Sequence, residues 1–308
     1  MQPQPTDDEL LVKVKAASAN PLDWHMLRGT PRLIRLSGDL RRHKPMRAGR
    51  DVAGVVVSVG RAVSVFRPGD AVFGACQGAF ADYVCGKESD FAEKPEAISF
   101  EQAAALPIAG LTALQALRDN GGLRAGHEVL VVGASGGVGT FAVQLARIYG
   151  ASVTATCRGD AAELVRRLGA DQVIDYSKTD VTRGERRFGL IIDLVGRYPF
   201  RRLRRVLAPG GRIVAVGGGG PGGRALGRWL ARTGAAALAS RFSRRKLVLC
   251  MSRLDVADLA SLAALVEDGR LEPVIDRRFR LEEVPEAIAY VAQGHARGKS
   301  VIHVDDPE

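Results

Sequence analysis

The chain has 308 residues, 46% of them hydrophobic and 25% charged, with a formal net charge of +10. That mix is globular rather than disordered, no apolar run reaches the ~18 residues that span a bilayer, and the length suits about two domains. The charge is concentrated, since residues 194–254 hold 14 Lys and Arg and no Asp or Glu, which raises nucleic acid as a partner.

In chain order, residues 9–16 alternate apolar and charged side chains, as a half-exposed strand does. Residues 52–59 form a second strand, and Arg67-Pro-Gly-Asp70 a turn before short strands at 71–73 and 80–84. Together these suggest a small barrel-like β domain. Residues 100–117 are Ala/Leu-rich and helical, with a break expected at 107–110. Strand and helix patterns then alternate. Strands fall at 128–132, 152–156, 173–174, 190–194 and 212–216, and helices at 138–149, 161–168 and 199–207. Alternation of this kind implies crossovers and a parallel sheet. A glycine-rich loop at 217–223 follows, and residues 274–304 return to short strands around a helix at 284–293. The fold class expected is α/β. A β-rich domain spans 1–108, a parallel-sheet domain 109–271, and a tail at 272–308 packs back on the first.

Four cysteines (Cys76, Cys85, Cys157, Cys250) and five histidines show no paired spacing, so neither a disulfide framework nor a classical zinc site is expected. The polar, acidic residues 1–10 lack the basic start and apolar middle of a signal peptide, and a cytoplasmic protein is expected.

The chemistry lies in Val129-Leu-Val-Val-Gly-Ala-Ser-Gly-Gly-Val-Gly-Thr140. A buried strand runs into glycines and a helix starts at once. Glycines permit the turn and a close backbone approach, and the helix N-terminus offers free N–H groups to a pyrophosphate. Gly133, Ala134, Ser135, Gly136, Gly137 and Val138 are therefore the expected cradle of a dinucleotide. At the end of the next strand stands Arg158, whose guanidinium suits a 2′-phosphate and favours NADPH. Asp160, two residues on, would instead suit NADH.

From these motifs the chain resembles the zinc-independent branch of the medium-chain dehydrogenase/reductase superfamily, near the NADPH:quinone oxidoreductases and zeta-crystallin. The matching pieces include Ala19-Asn-Pro-Leu-Asp-Trp24, Gly49-Arg-Asp-Val-Ala-Gly-Val-Val56, Gly78-Ala-Phe-Ala-Asp-Tyr-Val84, Ala103-Ala-Ala-Leu-Pro107, Leu111-Thr-Ala-Leu114, Leu168-Gly-Ala-Asp-Gln-Val-Ile-Asp-Tyr176 and Gly294-His-Ala-Arg-Gly-Lys299. The resemblance implies a GroES-like catalytic domain, a Rossmann domain and substrate in the cleft between them. Zinc-dependent relatives have Gly-His-Glu where this chain has Gly49-Arg50-Asp51, and the four-cysteine structural-zinc lobe is missing. The basic stretch 30–46 also departs from the pattern. Without zinc to polarise a carbonyl, a quinone or α,β-unsaturated carbonyl, whose product anion is delocalised, is the expected acceptor. A metal-free alcohol dehydrogenase and a non-catalytic, RNA-binding NADPH protein are the alternatives.

The resemblance also implies roles. Thr112 lies beside the nicotinamide, or is merely a helix-start hydroxyl. Tyr176 flanks the adenosine phosphate, or only packs. Val195, Gly196, Val216, Gly217 and Gly218 frame the nicotinamide ribose and carboxamide, and Lys299 is a tail contact near the cofactor, or a solvated lysine. Asn20 could donate its amide to the substrate carbonyl or simply fix its own turn. Asp23 reads as a helix cap. Arg50 faces the substrate oxygen or pairs with Asp51. A homodimer through the Rossmann edges is expected. Most of the acid-free stretch belongs to ordinary Rossmann parts, with few aromatics for base stacking, and Arg outnumbers Lys 36 to 8 along the whole chain. Nucleic acid is therefore not expected as a partner. Residues 224–246 remain, with Arg224, Arg228 and Arg232 opposite Leu226, Trp229 and Leu230, as an interfacial helix would show.

Overall fold

The computed structural model describes residues 2–28, 47–217, 226–240 and 246–304. The basic stretch 30–46, Gly218 and most of the 217–223 loop lie outside them.

Along the chain, β1 (Glu9–Ala19) leads into α1 (Pro21–Arg28), then β2 (Asp51–Val59), β3 (Ala71–Ala75), β4 (Tyr83–Lys87) and β5 (Phe91–Glu93). Helices α2 (Phe100–Ala105) and α3 (Pro107–Gln115) follow. The expected break at 107–110 is narrower than the sequence suggests. Only Leu106 separates the two helices, and Gly110 sits inside the second. A Cβ on Gly110 would lie 3.0 Å from Leu262 Cδ1, so this glycine serves close packing rather than a chain break.

The chain then alternates β6 (Glu128–Val132), α4 (Gly137–Ile148), β7 (Ser152–Cys157), α5 (Ala162–Arg167), β8 (Gln172–Asp175), β9 (Phe188–Asp193), α6 (Phe200–Leu203), β10 (Leu207–Ala215), α7 (Leu226–Ser240) and β11 (Lys246–Leu249). It closes with α8 (Val256–Glu267), β12 (Ile275–Arg280), α9 (Val284–Ala292) and β13 (Lys299–His303). The helix expected over 199–207 is only one turn long, because β10 already starts at Leu207. Elements β5, β11 and α8 are not marked by sequence pattern, and α1 is marked only by its expected cap, Asp23.

Two compact units result. The first comprises Met1–Leu111 and Arg253–Glu308, the second Thr112–Ser252. The first holds a seven-stranded sheet ordered β12-β13-β1-β2-β3-β5, with β4 also paired to β1. Its core gathers Leu10, Val12, Val52, Val72, Phe91 and Ile302. The strand that returns from the C-terminus, β13, pairs antiparallel with β1, Ala19 opposite Ser300.

The second unit holds a parallel sheet ordered β11-β10-β9-β6-β7-β8. Read from the middle, the chain runs outward from β6 through β7 to β8, then crosses back to β9. This is the doubly wound order whose ligand crevice opens at the carboxyl ends beside the reversal point. Strand β6 is apolar at four consecutive buried positions, as a strand covered on both faces must be. Trp229, expected on the apolar side of an interfacial helix, packs with Ala236 and Ala237 against this unit's own core. Among the described residues no helix is long and apolar enough to cross a membrane.

Candidate active site

In the second unit, β6 delivers the chain into Gly133, whose φ of +89° lies in the left-handed region. A Cβ there would sit 2.4 Å from Val195 Cγ2. The amides of Gly133 and Ala134 donate to Thr156 O at 3.1 and 3.0 Å, tying the turn to β7. Gly136 is the N-cap of α4, and the first helical bond is Thr140 N to Gly136 O at 2.9 Å. The amides of Gly137, Val138 and Gly139 therefore have no acceptor within the helix. At Gly139 a Cβ would meet Gly133 O at 2.3 Å, so helix and turn touch through bare backbone. At Gly136 the nearest atom to such a Cβ is 3.7 Å away, Gly133 O. One glycine makes the turn, one leaves room for an approaching group, and one lets helix and turn pack. This three-part arrangement fits a dinucleotide pyrophosphate.

The neighbouring strand ends converge here. Asp193 closes β9 and is 4% exposed. Its Oδ1 accepts from Val195 N at 3.2 Å and Gly196 N at 2.8 Å, which fixes the loop after the strand. Burial pushes its carboxyl up to about 6 against the two backbone bonds that lower it. Val216 N donates to Asp193 O at 2.9 Å, and a Cβ on Gly217 would lie 2.4 Å from Leu194 O. Thus Val195, Gly196, Val216 and Gly217 gather at the carboxyl edge beside the glycine turn, while Gly218 lies outside the described residues. Arg158 follows β7 and Tyr176 follows β8, at the same edge. The guanidinium expected to stand free is engaged. Arg158 Nε and Nη2 donate to the two Asp160 oxygens at 2.9 and 2.7 Å. Thr112, 7% exposed, lies 2.9 Å from Ser252 through the two hydroxyls. Burial raises the thiols of Cys157 and Cys250 to about 11, which leaves them protonated at neutral pH.

In the first unit, three adjacent strands build a buried polar cluster. Asp51 opens β2 directly opposite Ser18 of β1, Asn20 follows β1, and Lys299 opens β13. Asp51 is fully buried and Lys299 only 2% exposed, with Nζ–Oδ2 at 3.1 Å. Asp51 also accepts from Ser18 Oγ at 2.9 Å, Asn20 Nδ2 at 2.9 Å and Ile108 N at 3.0 Å. Lys299 Nζ donates to Asn20 Oδ1 at 2.7 Å. Lys299 is thus not a solvated lysine. Its ammonium neutralises a carboxylate in the interior. Asn20 differs from the free donor expected, since its second N–H points at Ser18 O, 3.3 Å away.

Asp23 caps the start of α1 by accepting from Asn20 N at 2.8 Å. Burial raises its carboxyl to about 6. The pairing of Arg50 with Asp51 does not form, because Asp51 is held by Lys299. Arg50 is half-buried and lines an open pocket with Asp23, Met26, Leu27, Arg47 and Gln77. Among the described residues no three His, Cys, Asp or Glu side chains converge as metal ligands.

Sequence reasoning missed Asp193, Ser252 and the Ser18–Asp51–Lys299 cluster. An acid ending an otherwise apolar strand, Leu-Ile-Ile-Asp193, is a signal that could have marked the first. The other partners stand too far apart along the chain to be paired by inspection.

Comparison with known proteins places this geometry in a family. Residues 6–96 match the alcohol dehydrogenase GroES-like domain and residues 168–302 the zinc-binding dehydrogenase model. A mitochondrial NAD(P)H oxidoreductase of Mus musculus is 36% identical, covering 96% of this chain and 82% of the relative. A chloroplastic NADPH-dependent alkenal/one oxidoreductase of Arabidopsis thaliana is 34% identical over 98% of this chain and 73% of its own length. The solved quinone oxidoreductase of Coxiella burnetii is 31% identical with a TM-score of 0.86, covering 99% and 93%. The cytoplasmic expectation is corrected by these matches. Relatives aligned over nearly the whole chain are mitochondrial and chloroplastic, so a polar start does not fix the compartment. The chain belongs to the medium-chain dehydrogenase/reductase superfamily, in its quinone-oxidoreductase branch.

Proposed function

We propose that the protein is an NADPH-dependent reductase of quinones or α,β-unsaturated carbonyls, acting without zinc. The observation that carries this reading is the glycine turn at the sheet's reversal point, with Arg158 and Tyr176 at the adjoining strand ends. The names of the relatives support the acceptor class.

When bound, a reduced nicotinamide would supply the hydride. The first-turn amides of α4 hold the pyrophosphate, and Arg158 and Tyr176 receive the adenosine end. Thr112 and the loops at Val195–Gly196 and Val216–Gly217 orient the nicotinamide end. Arg50 takes the place of the absent zinc ligand, and its charge stabilises the oxyanion that develops on the acceptor. Asn20 is a positioning residue. Its amide, clamped by Asp51 and Lys299, sets the turn before α1. Solvent supplies the proton. The edge strand β11 pairs with that of a second copy, and sedimentation as a monomer at micromolar concentration would refute that pairing.

The test is steady-state NADPH oxidation with 1,4-naphthoquinone and a 2-alkenal. Arg50→Ala is expected to lower kcat/KM by about 10²-fold with little change in NADPH affinity. An unchanged kcat/KM would remove Arg50 from the site, and inert acceptors throughout would sink the reductase reading.

A further inference from the structure

Cys157 ends β7, and Arg158, Gly159 and Asp160 form the tight turn that follows. In that turn the guanidinium of Arg158 and the carboxylate of Asp160 meet through two parallel bonds of 2.9 and 2.7 Å, with both side chains nearly half exposed. A guanidinium uses this same fork for a phosphate. The donors suited to a 2′-phosphate are therefore occupied by a carboxylate of the same turn.

A second guanidinium stands close by. Arg197 Cζ lies 4.3 Å from the ring centroid of Tyr176 and 6.0 Å from that of Tyr198. Among the described residues no carboxylate pairs with it. Its loop starts at the Val195 and Gly196 amides that Asp193 holds, and Gly196 takes a φ of +69° there. Arg158 adjoins the same Tyr176, whose N–H donates to Cys157 O at 3.1 Å beside the Cys157–Asp175 pair of β7 and β8. Two cations thus border one tyrosine. Two nearby carboxylates are engaged: Asp175 is bound by Ser177 through N and Oγ at 2.9 and 2.7 Å, and Asp160 holds Arg158.

We propose that Asp160 is an intramolecular competitor for the 2′-phosphate subsite and that Arg197 is the subsite's second cation. The inference rests on the NADPH reading above and sharpens it. With NADPH, the phosphate replaces Asp160 on Arg158 and draws on Arg197 as well. With NADH, the Arg158–Asp160 pair persists and only Arg197 is left beside the ribose hydroxyls. The chain then accepts both cofactors, and Asp160 narrows the gap between them. An exposed ion pair shifts an equilibrium by up to roughly fivefold, and this sets the scale of the competition.

The experiment measures binding of 2′,5′-ADP and 5′-AMP by titration calorimetry to the full chain and three variants. Asp160→Asn is expected to tighten 2′,5′-ADP by up to about fivefold while 5′-AMP stays nearly constant. Arg197→Leu is expected to weaken 2′,5′-ADP by about tenfold, and 5′-AMP far less. An unchanged or lowered ratio of the two affinities in Asp160→Asn overturns the competitor role. Equal weakening of both ligands in Arg197→Leu overturns the second-cation role. Arg158→Ala separates the layers. If it collapses the ratio while Asp160→Asn does nothing, only this inference fails. If it leaves the ratio intact, the assignment of Arg158 to the 2′-phosphate fails, and the inference with it. Retained 5′-AMP binding shows that each variant is folded.

Discussion

Replacing Asp193 with Asn tests the electrostatic reading of the loop after β9. The carboxyl is buried, with one oxygen accepting two backbone amides, and its pKa stands at about 6 against an ordinary 3.8. The folded chain therefore binds this proton more tightly than the unfolded chain does. Between pH 3.8 and about 6 the native state carries more protons, so stability falls as pH rises through that window and is level above it. The full difference corresponds to about 3 kcal/mol. Asparagine keeps an acceptor oxygen for Val195 N and Gly196 N and carries no charge. Asp193→Asn is expected to match the parent chain near pH 3.5 and to exceed it by about 1–3 kcal/mol at pH 8. Urea midpoints for both proteins at several pH values supply the comparison, and the difference between them cancels every other titrating group. A variant less stable than the parent at pH 8, or a difference that does not change with pH, would refute the argument.

Lys299→Met should destabilise the first unit by about 3–5 kcal/mol in denaturant unfolding, because it strands the buried Asp51 charge. Adding Asp51→Asn should recover part of that loss, and no recovery would mean that the ammonium acts through packing alone. Gly139→Ala drives a Cβ to 2.3 Å from Gly133 O and should cost about 1–3 kcal/mol of stability together with cofactor binding. Gly136→Ala, with nothing nearer than 3.7 Å, should keep the Tm and lose NADPH binding, since its methyl fills the space left for the pyrophosphate. A Gly136→Ala protein that binds NADPH normally would move the cradle elsewhere.

Much of the architecture is written locally. The run from Val129 to Thr140 carries strand, turn and helix start in twelve consecutive residues, and the strand–helix alternation after it implies the parallel sheet directly. What pattern could not show depends on distance or on side-chain choice. Helix α8 is apolar on most of its surface, Val256-Ala-Asp-Leu-Ala-Ser-Leu-Ala-Ala-Leu-Val-Glu267, so no single stripe marks it. Its packing partner at Gly110 is far away in the chain. Asp51 and Lys299 are 248 positions apart, and only the antiparallel return of β13 brings them together. Arg158 and Asp160 were visible as neighbours, but adjacency does not say whether the guanidinium turns to the carboxylate or to a ligand. At Arg50, the sequence showed that the zinc-ligand histidine is gone, while the structure showed that Asp51 is already taken by Lys299. That leaves Arg50 open to the pocket.

The most direct measurement of the central claim is stopped-flow NADPH oxidation with 1,4-naphthoquinone, a 2-alkenal and a simple ketone, each with and without a strong chelator. The account predicts turnover of the quinone or the alkenal, little with the ketone, and rates unchanged by the chelator. Oxidation confined to the ketone, or activity abolished by the chelator and restored by zinc, would contradict it.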